Sequence, residues 1–283
     1  SAEYDSAVVY YEKASSLYQK QEQWRKYLQS ETKQGVCYQK QWQQDMAVAT
    51  IRPAINKSLL HINEIDTIVA DAYHALGIQF YYQEMYDSVL FYWEKTLEIR
   101  KELLGKTHTS VAMNYNNIGA VYAIRNEYDQ ALQYYFKSLE INKDLLGEKH
   151  ADIASYYNNI GIVYYEKSEY DLALQYCLES LEIHKELLGE KHNDLASSYN
   201  NIGMVYNTKN EYDLALQYYF KSLEIYKELL GEKHTVVALS YNNIGVVYNG
   251  KKEYDLALQY YYKSLEINKE LLGEKHTDVA RSY

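Results

Sequence analysis

The feature that most constrains this chain is a stretch of sequence that recurs every 42 residues. The segment Tyr-Asn-Asn-Ile-Gly ends on glycines at that interval, namely Gly119, Gly161, Gly203 and Gly245. A histidine recurs at the same interval further along each unit, at His108, His150, His192, His234 and His276. A period of about 20 to 50 residues is typical of repeat proteins, in which each unit packs only on its neighbours.

Each unit is predicted to contain two helices. In the first, the apolar residues between Tyr157 and Tyr164 are spaced by three, four and seven, which places them on one helical face. In the second, the residues from Tyr170 to Leu188 keep the same spacings. Gly189 then follows, at the position where a glycine commonly ends a helix. The short connection to the next unit predicts antiparallel neighbours.

The recurring glycine lies inside the first helix, where glycine costs about 1 kcal/mol relative to alanine. Its repetition indicates that another helix approaches the Gly161 backbone too closely for a side chain. The second helix has small residues that are suited to this approach. They are Ala131, Ala173, Ala215 and Ala257, with Ser138, Ser180, Ser222 and Ser264.

These residues resemble the tetratricopeptide repeat. The matching positions are Tyr157, Ile160, Gly161 and Tyr164 in the first helix and Tyr170, Ala173, Cys177 and Ser180 in the second. Cysteine replaces the usual aromatic residue and serine the last alanine. The unit is longer than the usual 34 residues, and its Leu-Leu-Gly-Glu-Lys-His ending is similar to the 42-residue variety of kinesin light chains and of bacterial and protist relatives. The His-Pro pair usual in kinesin light chains is absent.

The resemblance implies an all-α fold, a right-handed superhelical solenoid of antiparallel helix pairs. It is weak over residues 1–65, a degenerate N-terminal part, and strong over residues 66–283. The regular units span 66–108, 109–150, 151–192, 193–234 and 235–276, followed by a truncated helix. Residues 3–20 resemble a second helix without its first, so we expect a fragment of a longer array. Pro53 lies inside a predicted helix, which we expect to be kinked or broken there.

Composition argues against several classes of function. The formal net charge of −10 does not suit a nucleic acid partner, which requires a basic face. No transmembrane or secretory segment is visible, so we expect no membrane association. Cys37 and Cys177 are isolated, which indicates no disulfide framework and favours a reducing, cytoplasmic setting.

The sequence offers no convincing catalytic or metal site. Helix axes lie about 8–10 Å apart, so histidines of successive units should not share a zinc ion, which holds its ligands at about 2 Å. Packing or helix-end hydrogen bonding is the favoured role for these histidines. Cys177 and His184 lie seven residues apart on one helix, but a Cys–His catalytic pair needs a third, orienting group, and Cys177 replaces a core tyrosine of the other units. We therefore predict no enzyme, no cofactor and no metal.

The remaining candidate is a binding surface on the first helices. The paired asparagines of every regular first helix after residue 108 are invariant, namely Asn116, Asn117, Asn158, Asn159, Asn200, Asn201, Asn242 and Asn243. Their neighbours on the same face vary between units; the candidates among them are Ile162, Tyr165, Met204, Asn207, Val246 and Asn249. An amide both donates and accepts hydrogen bonds, so it suits the backbone of an extended peptide, while the varied positions contact its side chains. The alternative is that one asparagine per unit bonds to the neighbouring helix.

The resemblance implies the same surface, because the asparagine-bearing helices of kinesin light chains line a concave peptide groove. The basic residues of tetratricopeptide carboxylate clamps are absent at Met113, Ser155, Ser197 and Leu239. A partner with apolar anchors and a neutral or basic flank is therefore expected.

Three roles follow from these observations. The first is a non-catalytic protein-interaction scaffold that binds a peptide or partner protein in a groove. The second is the sensor or autoinhibitory arm of a larger effector enzyme, such as a caspase-like protease or a kinase; the sequence beyond Tyr283 would identify it. The third is a solenoid that self-associates end to end through truncated repeats. Measuring mass against concentration would separate the third role from the others.

Overall fold

The computed structural model describes residues 2–62 and 65–272, and every regular element in that part of the chain is an α-helix. The helices are α1 (Ala2–Lys20), α2 (Trp24–Lys40), α3 (Gln44–Leu59), α4 (Thr67–Tyr82), α5 (Tyr86–Leu104), α6 (Thr109–Ile124), α7 (Tyr128–Leu146), α8 (Ala151–Glu166), α9 (Tyr170–Leu188), α10 (Asn193–Thr208), α11 (Tyr212–Leu230), α12 (Thr235–Gly250) and α13 (Tyr254–Leu272). The predicted truncated final helix and the fifth loop histidine, His276, lie outside the described residues.

Consecutive helices pack as antiparallel pairs. In the pair α8 and α9, Tyr165 contacts Tyr170 near the turn, and Tyr157 contacts Tyr176 further from it. Each second helix from α9 to α11 also contacts the first helix of the following unit. This arrangement confirms the predicted all-α solenoid class, because helices pack on their sequence neighbours both within a repeat, as α8 does on α9, and between repeats, as α9 does on α10.

The glycine inside each first helix lies where the second helix approaches. A Cβ atom at Gly161 would lie 2.7 Å from Cys177 Sγ and 3.1 Å from the carbonyl oxygen of Ala173. At Gly203 the three nearest atoms belong to the Tyr219 ring, the nearest at 2.9 Å. Both sets of distances confirm the close approach that the glycine predicts.

Small and aromatic residues fill the rest of each pair. Ala173 and its copies are buried, and the Ser138 hydroxyl donates a hydrogen bond of 2.8 Å to the carbonyl oxygen of Ala112. A stacked pair of tyrosines joins the two helices: Tyr164 lies on Tyr176 with ring centroids 5.5 Å apart. The corresponding rings stack in the other regular units, which explains part of the chain's high tyrosine content.

Local sequence determines where the helices begin and end. His192 precedes α10, and its Nδ1 atom accepts a hydrogen bond of 3.2 Å from the backbone N–H of Asp194. This is an N-cap, and His108, His150 and His234 cap α6, α8 and α12 in the same way. At the other end, Gly189 adopts a φ of 71° after α9, so the predicted glycine stop is confirmed.

The helix that contains Pro53 is not broken. The α3 helix is continuous from Gln44 to Leu59, so of the two expected outcomes the break does not occur, and the kink stays a prediction. Proline leaves the carbonyl group four residues earlier, on Ala49, without its helical donor. Pro53 and Ala49 are both exposed, so water can satisfy that carbonyl, while Ile51 and Ile55 remain buried on the opposite face.

The chain forms two compact units, residues 1–145 and 146–283. The first has a core that extends from Leu28 through Leu76 to Ile118. The second contains one core cluster around Ile202 and another around Ile244. The division of the sequence at residue 65 into a degenerate and a regular part stays a prediction.

Candidate functional site

The candidate site lies in the second compact unit, which begins at residue 146, on a face shared by the first helices α8, α10 and α12 of three successive repeats. We call it the asparagine face; its members are Asn158, Asn159, Asn200, Asn201, Asn242 and Asn243, with Ile162, Met204 and Val246. All six asparagines are half-buried. Neighbouring first helices contact each other here, α8 with α10 and α10 with α12. The predicted residues of this unit are therefore brought onto adjacent helices.

The asparagines of successive units bond directly to each other. Asn201 Nδ2 donates to Asn158 Oδ1 over 2.8 Å, and Asn243 Nδ2 donates to Asn200 Oδ1 over 3.0 Å. In these two cases the second asparagine of a repeat bonds back to the first asparagine of the preceding repeat. A bond to a neighbouring helix was one of the two expected roles of these asparagines, but the repeat pattern does not reveal that the partner is another asparagine.

These bonds use only part of each amide. A primary amide has two N–H donors and a carbonyl oxygen with two lone pairs. Asn158 and Asn200 use only their oxygens in the described contacts, while Asn201 and Asn243 each use one N–H. In these two bonds the accepting asparagines, Asn158 and Asn200, therefore keep their N–H donors, and the donating asparagines, Asn201 and Asn243, keep their carbonyl oxygens as acceptors.

Apolar side chains lie beside the amides. Ile162 and Met204 are half-buried, and Val246 is 41% exposed. One turn further along, the Tyr165 hydroxyl lies 2.9 Å from the Thr208 hydroxyl of the next unit. Thr208 was not predicted as a site residue, and only the difference between units at its position could have suggested it. Asn207 is half-buried and Asn249 exposed on the same helices.

The first unit has its own version of this surface. Asn116 and Asn117 are half-buried on α6. On α4, His74 occupies the position of the first asparagine, and its ring stacks on Trp93 with centroids 5.5 Å apart. Burial lowers the pKa of His74 to about 4, and the nearby Arg100 guanidinium adds to this effect. His74 is therefore neutral at pH 7 and, like asparagine, offers a neutral polar side chain.

The asparagine face carries little charge. Met113 and Leu239 are 55% and 58% exposed at positions where a carboxylate clamp needs a cation, and Ser155 and Ser197 occupy the equivalent places on α8 and α10. Lysines do occur at the ends of the first helices, but Lys209 pairs with Asp171 of the preceding unit over 2.7 Å. Lys251 pairs with Asp213 in the same way, over 2.8 Å.

The described residues contain no group of three or more His, Cys, Asp and Glu side chains that could hold a metal ion. The loop histidines from His108 to His234 are occupied by capping their own helices. This capping role agrees with the helix-end hydrogen bonding favoured above.

Cys177 and His184 are both core residues. Cys177 is 1% exposed, and burial raises the pKa of its thiol to about 12, so the thiolate is not populated at neutral pH. His184 is 3% exposed, its Nδ1 atom lies 2.9 Å from the Ser198 hydroxyl, and burial lowers its pKa. A buried, protonated thiol is not suited to act as a nucleophile.

A cleft of about 540 Å³ lies away from the asparagines, at the edge formed by α9, α10 and α11. Lys185 and Lys221 lie over the ring of Tyr199 there, at 5.5 and 5.6 Å from its centroid. Both lysines therefore already have an aromatic partner.

No described helix is both long enough and apolar enough to cross a membrane.

Comparison with models of protein families identifies the repeats of this chain. One tetratricopeptide repeat model matches residues 68–144, 112–176 and 152–228, and another matches residues 237–278. Together the matches cover more than half of the chain. No curated protein sequence matches it.

Several solved structures share the fold. The apo form of RapI has a TM-score of 0.72 at 19% identity, over 99% of this chain and 78% of its own. BtubC (BKLC) from P. vanneervenii has a TM-score of 0.66 at 19% identity, over 81% and 90%. A kinesin light chain protein from Podospora anserina with nearly identical TPR-like repeats has a TM-score of 0.63 at 13% identity, over 74% and 99%. At these identities the similarity shows the fold alone.

Proposed function

The chain belongs to the tetratricopeptide repeat family, and we propose that it binds an extended peptide segment of a partner protein on the asparagine face. The family membership indicates a protein-interaction scaffold. The finer assignment, a peptide on this face, rests on the chemistry of the face itself.

The observation that carries the proposal is what we call the amide ladder: the Asn201–Asn158 and Asn243–Asn200 hydrogen bonds, which leave some donors and acceptors of these amides unused. The Asn158–Asn201 and Asn200–Asn243 bonds hold the side chains of adjacent first helices in fixed positions. The remaining donors and acceptors can bond to a peptide backbone, which carries one N–H and one C=O per residue. Side chains held in place before binding lose less conformational entropy when the peptide binds.

The neighbours of the ladder indicate the chemistry of the partner. Ile162, Met204 and Val246 offer partly exposed apolar surface, which favours apolar side chains in the peptide. No cation stands at Ser155, Ser197 or Leu239, so a terminal carboxylate is not the expected anchor. The net charge of −10 favours a neutral or basic flank.

The proposal predicts that Asn158→Ala combined with Asn200→Ala weakens peptide binding by about 1–3 kcal/mol, allowing about 0.5–1.5 kcal/mol for each hydrogen bond. The test is a peptide-library screen on the parent and the variant, with melting curves for both. The matched control is Asn201→Ala combined with Asn243→Ala, which removes the same two inter-repeat bonds from the other side. If both variants melt earlier yet bind peptides like the parent, the ladder serves stacking alone and the proposal is wrong.

Ile162→Ser combined with Met204→Ser should change which peptides are selected, because these side chains contact the peptide's apolar residues rather than its backbone. The helical content should stay that of the parent. An unchanged set of selected peptides would contradict this part of the proposal.

A further inference from the structure

The spacing of the first helices limits the conformation of a peptide that crosses them. Asn158 and Asn201 on α8 and α10 are hydrogen-bonded, as are Asn200 and Asn243 on α10 and α12. Helices in such direct contact have axes about 8–10 Å apart. A peptide lying across α8, α10 and α12 therefore meets an equivalent set of side chains every 8–10 Å or so.

An extended chain covers that distance in about three residues, since a strand rises about 3.3 Å per residue and a polyproline II helix about 3.1 Å. The two conformations differ in the relative direction of side chains that are three residues apart. In a strand the side chains alternate between two faces, so residues three apart point in opposite directions. In polyproline II there are three residues per turn, so every third side chain returns to the same face.

Polyproline II also suits the amide ladder. It has no internal backbone hydrogen bonds, so its N–H and C=O groups remain available to side chains. The unused N–H groups of Asn158 and Asn200 would meet backbone carbonyls in equivalent positions, one turn of peptide apart. The Ile162, Met204 and Val246 side chains would meet the residues that recur at that interval.

We infer that the peptide bound on the asparagine face adopts a polyproline II conformation with an apolar residue at every third position, one for each repeat. This inference rests on the proposed function and specifies its ligand. The three apolar contacts are Ile162 on α8, Met204 on α10 and Val246 on α12. These side chains differ from repeat to repeat, so the size preferred at each of the three peptide positions also differs.

The test uses two synthetic heptapeptides of the same composition on the full chain. Leu-Pro-Ser-Leu-Pro-Ser-Leu has its leucines three apart, and Leu-Ser-Leu-Pro-Leu-Pro-Ser has them two apart. Fluorescence anisotropy should show the first binding about tenfold or more tighter, because only that spacing places a leucine beside each apolar residue. Met204→Ser should reduce this preference, whereas Leu178→Ser, on α9, should leave it unchanged.

The outcomes separate this inference from the function beneath it. If peptides selected from a library depend on Asn158 and Asn200 but show no preference for three-residue spacing, the inference is overturned and the proposed function stands. If no selected peptide depends on these asparagines, both are overturned.

Discussion

At the scale of single residues, the glycine inside each first helix determines how closely the helix pair can pack. A Cβ atom at Gly203 would lie 2.9 Å from the ring of Tyr219, and that ring is only 4% exposed. A side chain at this position must therefore push the helices apart or displace a packed ring.

Gly203→Val is expected to destabilise the protein by about 1–3 kcal/mol through overpacking. The neighbouring Met204→Val is the control, because it also introduces a β-branched residue into α10 but at a partly exposed position. Chemical denaturation of both variants measures the difference. Equal stability of the two variants would contradict the close contact with Tyr219.

The recurring glycine predicts that some group lies close, but it does not identify that group. The small residues of the second helix were the expected neighbours, and at Gly161 the carbonyl oxygen of Ala173 is indeed 3.1 Å from the Cβ position. At Gly203, however, the nearest atoms are those of Tyr219. The rotamer of a large side chain depends on the assembled core, so a repeat pattern alone cannot supply this detail.

His74 gives the stability of the protein a dependence on pH. Its pKa is about 4 in the fold, below the ordinary value of 6.5, because burial beside Arg100 disfavours the charged ring. Asp71 opposes this effect but does not outweigh it. The unfolded state therefore binds more protons between pH 6.5 and about 4, and the stabilisation present above pH 6.5 is lost as the pH falls through this window.

His74→Asn, which introduces the residue found at this position in later repeats, should remove this contribution of up to about 3 kcal/mol. The variant loses the stacking on Trp93 and should be less stable at pH 7.5, yet it should lose less on acidification. Urea unfolding of parent and variant at pH 5 and pH 7.5 provides the comparison. A parallel loss of stability in both proteins would contradict this account.

At the scale of helices, the turns inside each pair were harder to predict than the helices themselves. A residue in the left-handed region follows each first helix from α2 to α12, and it is never glycine; these residues are Trp42, Glu84, Asn126, Ser168, Asn210 and Lys252. The backbone N–H of Glu253 bonds to the carbonyl oxygen of Tyr248, which closes the helix end. Asn126 and Asn210 are of a residue type that favours this region, but Trp42, Glu84, Ser168 and Lys252 give no such signal, so the sequence does not predict the turn in every repeat. The glycines that end the second helices did carry that signal.

Pro53→Ala should stabilise α3. The change restores a donor for the Ala49 carbonyl and removes the ring, which together favour the variant by about 1–3 kcal/mol. Asn56→Ala, at another exposed position of α3, is the control and should contribute less than about 0.7 kcal/mol. Thermal melting of both variants would show the difference, and a Pro53→Ala variant that melts below the parent would contradict it.

At the scale of the whole molecule, the repeat period gave the class of fold and the candidate face, because spacing and turn residues are local properties. The sequence predicted which asparagines form the amide ladder, but it did not predict the bonds between them. Invariant asparagines indicated a shared role, but the bond between Asn158 and Asn201 joins residues 43 positions apart on different helices. The division at Leu145 into two compact units has no counterpart in the sequence pattern, which continues through it.

The central claim is that the partner binds on the first helices rather than on the second helices. Met204 on α10 and Phe220 on α11 are both partly exposed apolar residues, so replacing each with arginine makes a comparable change on the first and on the second helix of the same repeat. Fluorescence anisotropy of the tightest library peptide, with circular dichroism to verify folding, measures both. We expect Met204→Arg to weaken binding by about tenfold or more and Phe220→Arg to stay within about twofold of the parent. Loss of binding in Phe220→Arg with parental affinity in Met204→Arg would contradict the account.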